Sequence, residues 1–310
     1  MNASLIRRMG MLSVFALGLM VGSAANAYTW TEILIPSIGP IGAVFGINDK
    51  DQVTVTNADG SKTGIYRNGI FTPLPPPPAG YTVTALGINN AGVVTGGAFP
   101  PSDPTHEQGF VLIGSKYTFF AQTTWDNTEG RAIANSGLIT GYSSNADGSL
   151  TAGFIYDPAT NTFTDATPPG SGEGFSATQG MNADGRISGD GRLPGLGRYA
   201  FVWQQGTLVK GKRQLLPFLG RFKIGEDGTA ARGINDAGLI VGFTGWNGTA
   251  VGFVGSGSRG FRLLVAPGGD AAGAQTICEG INNYRKVVCG VTDAANNNRS
   301  FIGSPEQDDQ

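Results

Sequence analysis

An all-β, six-bladed propeller is the fold class this sequence predicts, on three observations. A phrase built like "GINDAGLIVG" (Gly233–Gly242) occurs in six copies. Each copy is followed by short strand-like segments with one bulky apolar residue, usually Phe, at a fixed place. The ends of the array complement each other, with one strand to spare before the first copy and one missing after the last.

The clearer copies are "GINNAGVVTG" from Gly87, "AIANSGLITG" from Ala132 and "GMNADGRISG" from Gly180; "GINDKDQVTV" from Gly46 and "GINNYRKVVCG" from Gly280 are looser. Their starts lie 41, 45, 48, 53 and 47 residues apart, the length of a four-stranded blade. In the fifth copy "TAARGIN" reads as a first strand, "NDAG" as a polar turn and "LIVGFT" as a second strand. Asn235 suits the first turn position, and Gly238 can take positive φ without steric cost. Asn48, Asn89, Asn182 and Asn282 share the place of Asn235, with Ala134 in the third copy, so these are read as turn residues. A third strand carries Phe110, Phe154, Phe201, Phe253 and Phe301, with Ile65 in the first repeat. An aromatic at one place per repeat predicts inter-blade core. Fourth strands are read at "GIFTPLP", "KYTFFA", "TFTDAT", "GTLVKG" and "RGFRLLVA". The sixth repeat lacks one, and Trp30–Ile38 is expected to supply it. That closes the ring and leaves no open sheet edge.

The first 27 residues read as an address. Arg7 and Arg8 precede an apolar stretch, "MLSVFALGLMV", and Ala25 and Ala27 form the small-residue pattern of a secretory signal cleaved after Ala27. The apolar run is shorter than the ~20 residues of a membrane span, and no later segment is apolar enough, so no span is expected after cleavage. Residues 28–304 then form one propeller domain and 305–310 a short polar tail. Without Arg7 and Arg8, 19 basic residues stand against 23 acidic ones, a net charge of −4. With no basic stripe, nucleic acid is excluded as a partner. Glycine, 50 of 310 residues, recurs at fixed places in the repeat, which points to turns and not disorder. Cys278 and Cys289 flank the "GINNYRKVV" hairpin. They face each other if the turn centres between Asn283 and Tyr284, and an oxidising compartment predicts a disulfide. A slip of one residue would put them on a diagonal.

The alternation of "GINDAG" phrases with a small-Phe strand resembles the extracellular HAF-repeat family, over Tyr28 to about Ser304. The nearest copy of the His-Ala-Phe box is Tyr199-Ala200-Phe201, and no repeat has the His. The resemblance implies an extracellular, propeller-like layout with no defined biochemical role.

In such blades the first-to-second and third-to-fourth turns share one face, and here they are short. The other face carries longer, variable loops, among them "PPPPAGY" from Pro75, "FPPSDPTHEQ" from Phe99, "QTTWDNTEG" from Gln122, "PPGSGEGF" from Pro168 and "LGRFKIGEDG" from Leu219. Function concentrates in variable loops on a rigid scaffold. Trp125 with Asp126, Trp246 and Tyr81 are candidates to stack on and hydrogen-bond a carbohydrate, and His106 is the only histidine. Glu173, Glu226, Asp227 and Asp270 place carboxylates between blades, but no spacing selects an acid–base pair. A single His and no Cys/His spacing argue against a metal centre. No serine elbow or phosphate cradle is present, so no cofactor is expected. The "NADG" turns at Asn57, Asn145 and Asn182 lack the rest of a calcium loop. The reading is a secreted, monomeric, non-catalytic binding module for carbohydrate or envelope polymer. The alternatives are an extracellular polysaccharide hydrolase or lyase, and a scaffold for another extracellular protein.

Overall fold

The computed structural model describes residues 28–167, 176–193, 197–204, 214–215, 228–246, 249–256 and 260–306. The signal segment, Glu173, Glu226, Asp227 and the side chain of Trp246 lie outside the described residues. The strands form six four-stranded antiparallel sheets, and the chain is a six-bladed propeller.

The innermost strands are β2 (Ile41–Ile47), β6 (Thr82–Ile88), β10 (Asn127–Ile133), β14 (Ser176–Met181), β18 (Ala230–Ile234) and β22 (Gln275–Ile281). Second strands follow as β3 (Val53–Asn57), β7 (Val94–Phe99), β11 (Ile139–Ser144), β15 (Arg186–Leu193), β19 (Ile240–Trp246) and β23 (Val287–Thr292). Third strands are β4 (Thr63–Arg67), β8 (Gln108–Ile113), β12 (Thr151–Asp157), β16 (Gly197–Gln204), β20 (Thr249–Ser256) and β24 (Asn298–Pro305). The outer strands of blades 1–5 are β5 (Ile70–Pro73), β9 (Lys116–Phe120), β13 (Thr162–Asp165), β17 (Gln214–Leu215) and β21 (Gly260–Leu264). In blade 4 Gln214–Leu215 pairs with β16, and the expected "GTLVKG" segment lies outside the described residues.

The N-terminal strand closes the ring as expected. It is β1 (Tyr28–Glu32), paired with β24 from Tyr28 opposite Pro305 to Glu32 opposite Phe301. It is shorter than Trp30–Ile38 because Pro36, which has no N–H for a ladder, opens a 3-10 turn over Pro36–Ile38. Ile33, Ile35 and Ile38 are instead buried against blade 1.

Between blades, Phe110, Phe154, Phe201, Phe253 and Phe301 are each at most 2% exposed. In blades 2–5 a glycine of the second strand stands opposite the Phe, as in Gly96 opposite Phe110 and Gly242 opposite Phe253. A Cβ at Gly96 would fall within 2 Å of the Thr84 carbonyl, so only glycine fits. Blade 1 reverses the sizes: Val55 stands opposite Gly64, and the ring of Phe71 packs over Gly64. Gly64, not Ile65, therefore holds the aromatic's register position. Blade 6 places Cys289 opposite Phe301. Cys278 and Cys289 face each other directly and form the expected disulfide, with Cα atoms 3.9 Å apart.

The repeated asparagine does two jobs. Its Oδ1 caps its own turn: Asn89 accepts from the N–H groups of Ala91 and Val93, both at 3.0 Å. Its Nδ2 donates to the backbone carbonyl of the equivalent residue one blade on: Asn48 to Asn89, Asn89 to Ala134, Asn182 to Asn235, Asn235 to Asn282, and Asn282 back to Asn48, at 2.8–3.2 Å. The next residue adds a second rung, a backbone N–H reaching the following blade's side chain, such as Asp236 N to Asn283 Oδ1 at 2.9 Å. The turns close with left-handed glycines such as Gly238 (φ 75°), while the looser copies place Asp51 and Arg285 there. No helix among the described residues is long and apolar enough to cross a membrane.

Candidate functional site

The predicted long-loop face gathers some of its candidates and separates others. The insertion between β7 and β8 holds Asp103 and His106, whose Oδ2 and Nδ1 are 2.5 Å apart. His106 Nε2 lies 3.9 Å from Asp126 Oδ1, so two loops from neighbouring blades meet there, with half-buried Trp125 next in the chain. The hydrogen bond that His106 donates to the Asp103 carboxylate raises the His106 pKa, and the same bond lowers that of Asp103. The side chains of His106 and Asp126 are 41% and 48% exposed, within reach of a ligand. Asp126 also accepts from Ala146 N at 2.7 Å, which ties the β11–β12 loop to the cluster.

Tyr81 is elsewhere. It stacks on Phe119 with centroids 4.4 Å apart and lines a groove of about 620 Å³ with Phe71, Pro73, Leu74, Pro75 and Pro77. It belongs to the packing between blades 1 and 2. Asp270 is exposed in the connection between blades 5 and 6.

A second constellation occupies the channel. Each innermost strand carries a β-bulge, located between Val44 and Ile47 in blade 1 and between Gly130 and Ala132 in blade 3, for example. A bulge adds an unpaired residue and re-aims its side chain. The six bulge residues are Phe45, Leu86, Arg131, Gln179, Arg232 and Glu279, and all line one cavity of about 120 Å³ that extends to the asparagine turns. Arg131 bridges Glu129 at 3.1 Å and Glu279 at 3.4 Å, and its guanidinium lies 5.1 Å from the centre of the Phe45 ring. Arg232 lies 3.7 Å from Glu279 and 3.9 Å from Asp190. Fully buried Asp190 is held by Arg198 at 2.6 Å.

Beside Glu129, at the boundary of blades 2 and 3, sits Glu107. Its pKa is pushed up to about 9, first by burial and then by the charge of Glu129, with Arg131 opposing. Burial and the Glu129 charge thus favour the protonated form of Glu107, next to a carboxylate paired with arginine. Burial foremost, and then Glu129, also raise the Tyr142 hydroxyl.

With this geometry in place, comparison with solved structures finds other propellers. Virginiamycin B lyase of Staphylococcus aureus is 12% identical, with a TM-score of 0.48 over 90% of this chain and 89% of that one. TolB of Acinetobacter baumannii is 12% identical, with a TM-score of 0.47 over 86% of this chain and 55% of that one. The β-propeller domain of the Trilobed protease of Pyrococcus furiosus is 10% identical, with a TM-score of 0.47 over 88% and 95%. The likeness is one of fold. No family model and no curated protein matches the chain.

The bulge ring was not among the residues expected from sequence. A signal for it exists: the residue before the repeat glycine is Phe, Leu, Arg, Gln, Arg or Glu, where the two positions that follow barely change. One variable place in a constant phrase marks a side chain that the framework does not use.

Proposed function

We propose that the chain is an exported, non-catalytic binding propeller for carbohydrate or envelope polymer, and that it recognises its ligand on the long-loop face. The observation that carries this reading is the meeting of His106 with Asp126, from two loops, on an accessible surface, with half-buried Trp125 next to Asp126 in the chain. An amphipathic ring beside exposed donors and acceptors suits a sugar. The opposite face carries the asparagine rungs that hold the ring together. Export rests on the signal-like first 27 residues and is consistent with the disulfide, which persists in oxidising compartments. The resemblance to the HAF-repeat family fits the same placement.

The test is to incubate the chain from Tyr28 onward with a panel of bacterial and plant polysaccharides, recording retention and release of small sugars. Retention without release is expected, weakened about tenfold, or ~1.4 kcal/mol, in Trp125→Ala. Retention by neither wild type nor variant on any polymer defeats the reading.

One observation favours a second reading, a hydrolase or lyase. Glu107, whose pKa is raised by burial and by the charge of nearby Glu129, has the property of a glycosidic general acid beside a second carboxyl. Release of oligosaccharides that disappears in Glu107→Gln would establish it.

A further inference from the structure

The bulge ring has a chemistry of its own. One arc is apolar, with Phe45 and the buried Leu86 from blades 1 and 2. The other arc is polar, with Arg131, Gln179, Arg232 and Glu279 from blades 3–6. The charges on the polar arc are already answered within the protein, since both arginines reach Glu279, Arg131 also reaches Glu129, and Arg232 also approaches Asp190. A ligand bearing a full charge would find no counter-charge of its own.

Among the described residues, two polar atoms on this arc have no hydrogen-bond partner: Gln179 Oε1, and Arg232 Nε, whose 3.7 Å ion contact with Glu279 is beyond hydrogen-bond reach. Gln179 is 6% exposed, and its Nε2 faces Asp190 Oδ1 at 3.4 Å. That contact settles the amide's orientation, because the reverse would set its oxygen against a carboxylate. One buried acceptor and one buried donor thus stand on neighbouring blades of a single cavity, and leaving such groups unpaired is costly. A hydroxyl group both donates and accepts, and a hydroxylated carbon chain has a C–H face that suits Phe45 and Leu86. The cavity of about 120 Å³ limits the size, given that one of ~150 Å³ takes up benzene.

We propose that the bulge ring binds a small, uncharged, hydroxyl-bearing ligand of roughly three or four carbons. It enters past the asparagine turns, donates a hydroxyl hydrogen to Gln179 Oε1 and accepts from Arg232 Nε. This site lies toward the opposite face from the Trp125 cluster and does not depend on polymer binding.

Calorimetric titration of the chain from Tyr28 onward tests it, with glycerol and erythritol as probes and acetate and acetamide as charged and amide comparisons. A saturable heat is expected with at least one polyol. It should weaken at least tenfold in Gln179→Leu and in Leu86→Phe, which fills the apolar arc, and stay unchanged in Trp125→Ala. If Gln179→Leu does not fold, Leu86→Phe decides alone. The absence of saturable heat with either polyol, or unchanged affinity in the folded ring variants, would overturn the site. Tighter binding of acetate would overturn the uncharged assignment, and tighter binding of acetamide the hydroxyl one.

Discussion

The junction between blades 3 and 4 is built from the same repeat as the other five, yet it is held differently. At five junctions an asparagine amide crosses to the next blade's carbonyl, and beside it a backbone N–H crosses to a side-chain oxygen, as in Ala183 N to Asp236 Oδ1 at 2.8 Å. Between blades 3 and 4, Ala134 has no side-chain amide to donate and Ala183 no side-chain oxygen to accept, so both rungs are missing together. Thr178 supplies bonds there, pairing with Thr140 Oγ1 at 2.9 Å and with the Gly141 carbonyl. Blade 3 also replaces the repeat's glycine with Ala132. Elsewhere that glycine touches the next blade: a Cβ at Gly180 would lie 2.6 Å from the Arg232 carbonyl. The departures therefore cluster at one junction, on the side of blade 3, which carries Glu129, Arg131 and Tyr142, and in the Ala183 turn of blade 4. A ring tied at five junctions tolerates one that is relieved, and the relieved junction lies within the arc of blades 3–6 that carries the charged channel residues.

The largest expected effect comes from breaking an intact junction. Asn235→Ala removes a buried amide that donates to Asn282 O at 3.1 Å and caps Leu239 N at 2.9 Å. Leaving those partners unpaired should cost about 2–3 kcal/mol, lowering Tm by about 4–10 °C in a domain of this size. Asn135→Ala removes only the rung from Asn90 N, 2.9 Å long and exposed, and should cost about 1 kcal/mol or less. Equal losses in thermal unfolding would mean that the rungs do not hold the ring.

The next effect concerns Glu107, across the boundary from blade 3. Its folded-state pKa of about 9 exceeds that of an unfolded glutamate. Between the ordinary carboxylate pKa and pH 9 the folded chain therefore binds the extra proton, and stability falls as pH rises through that window. Glu107→Gln should flatten the decline between pH 6 and pH 9, with a higher Tm than wild type at the alkaline end. An unchanged slope would show that Glu107 is ionised in the folded state at neutral pH.

Much of this framework was legible because it is local or repeated. Asn235 and Gly238 announce a turn within four residues, Phe110 and its equivalents recur once per repeat, and Cys278 and Cys289 flank one hairpin. What crosses blades was not legible. The same asparagine whose Oδ1 makes the predicted turn spends its Nδ2 on a carbonyl 53 residues away in the case of Asn182, and nothing local signals that partner. The exchange of Val55 and Gly64 was hidden because the compensating ring, Phe71, comes from another strand. The bulges were hidden for a similar reason: an extra residue in a strand shows only once its neighbour's register is known. Tyr81 and Trp125 both sit in long loops, and nothing local signals that the Tyr81 ring stacks on Phe119.

The smallest effect is the most discriminating, because it tries to rebuild the relieved junction. Ala183→Asp offers Asn135 N the acceptor that Asp236 offers Ala183 N at the next boundary, and should add about 0.5–1 kcal/mol. Ala134→Asn offers the missing amide to the Asn182 carbonyl. If the Cβ of Ala132 holds blade 4 away, Ala183→Asp stabilises while Ala134→Asn does not until it is combined with Ala132→Gly. If each single change stabilises, the blades are already within bonding reach, and the two alanines alone distinguish this junction from the other five.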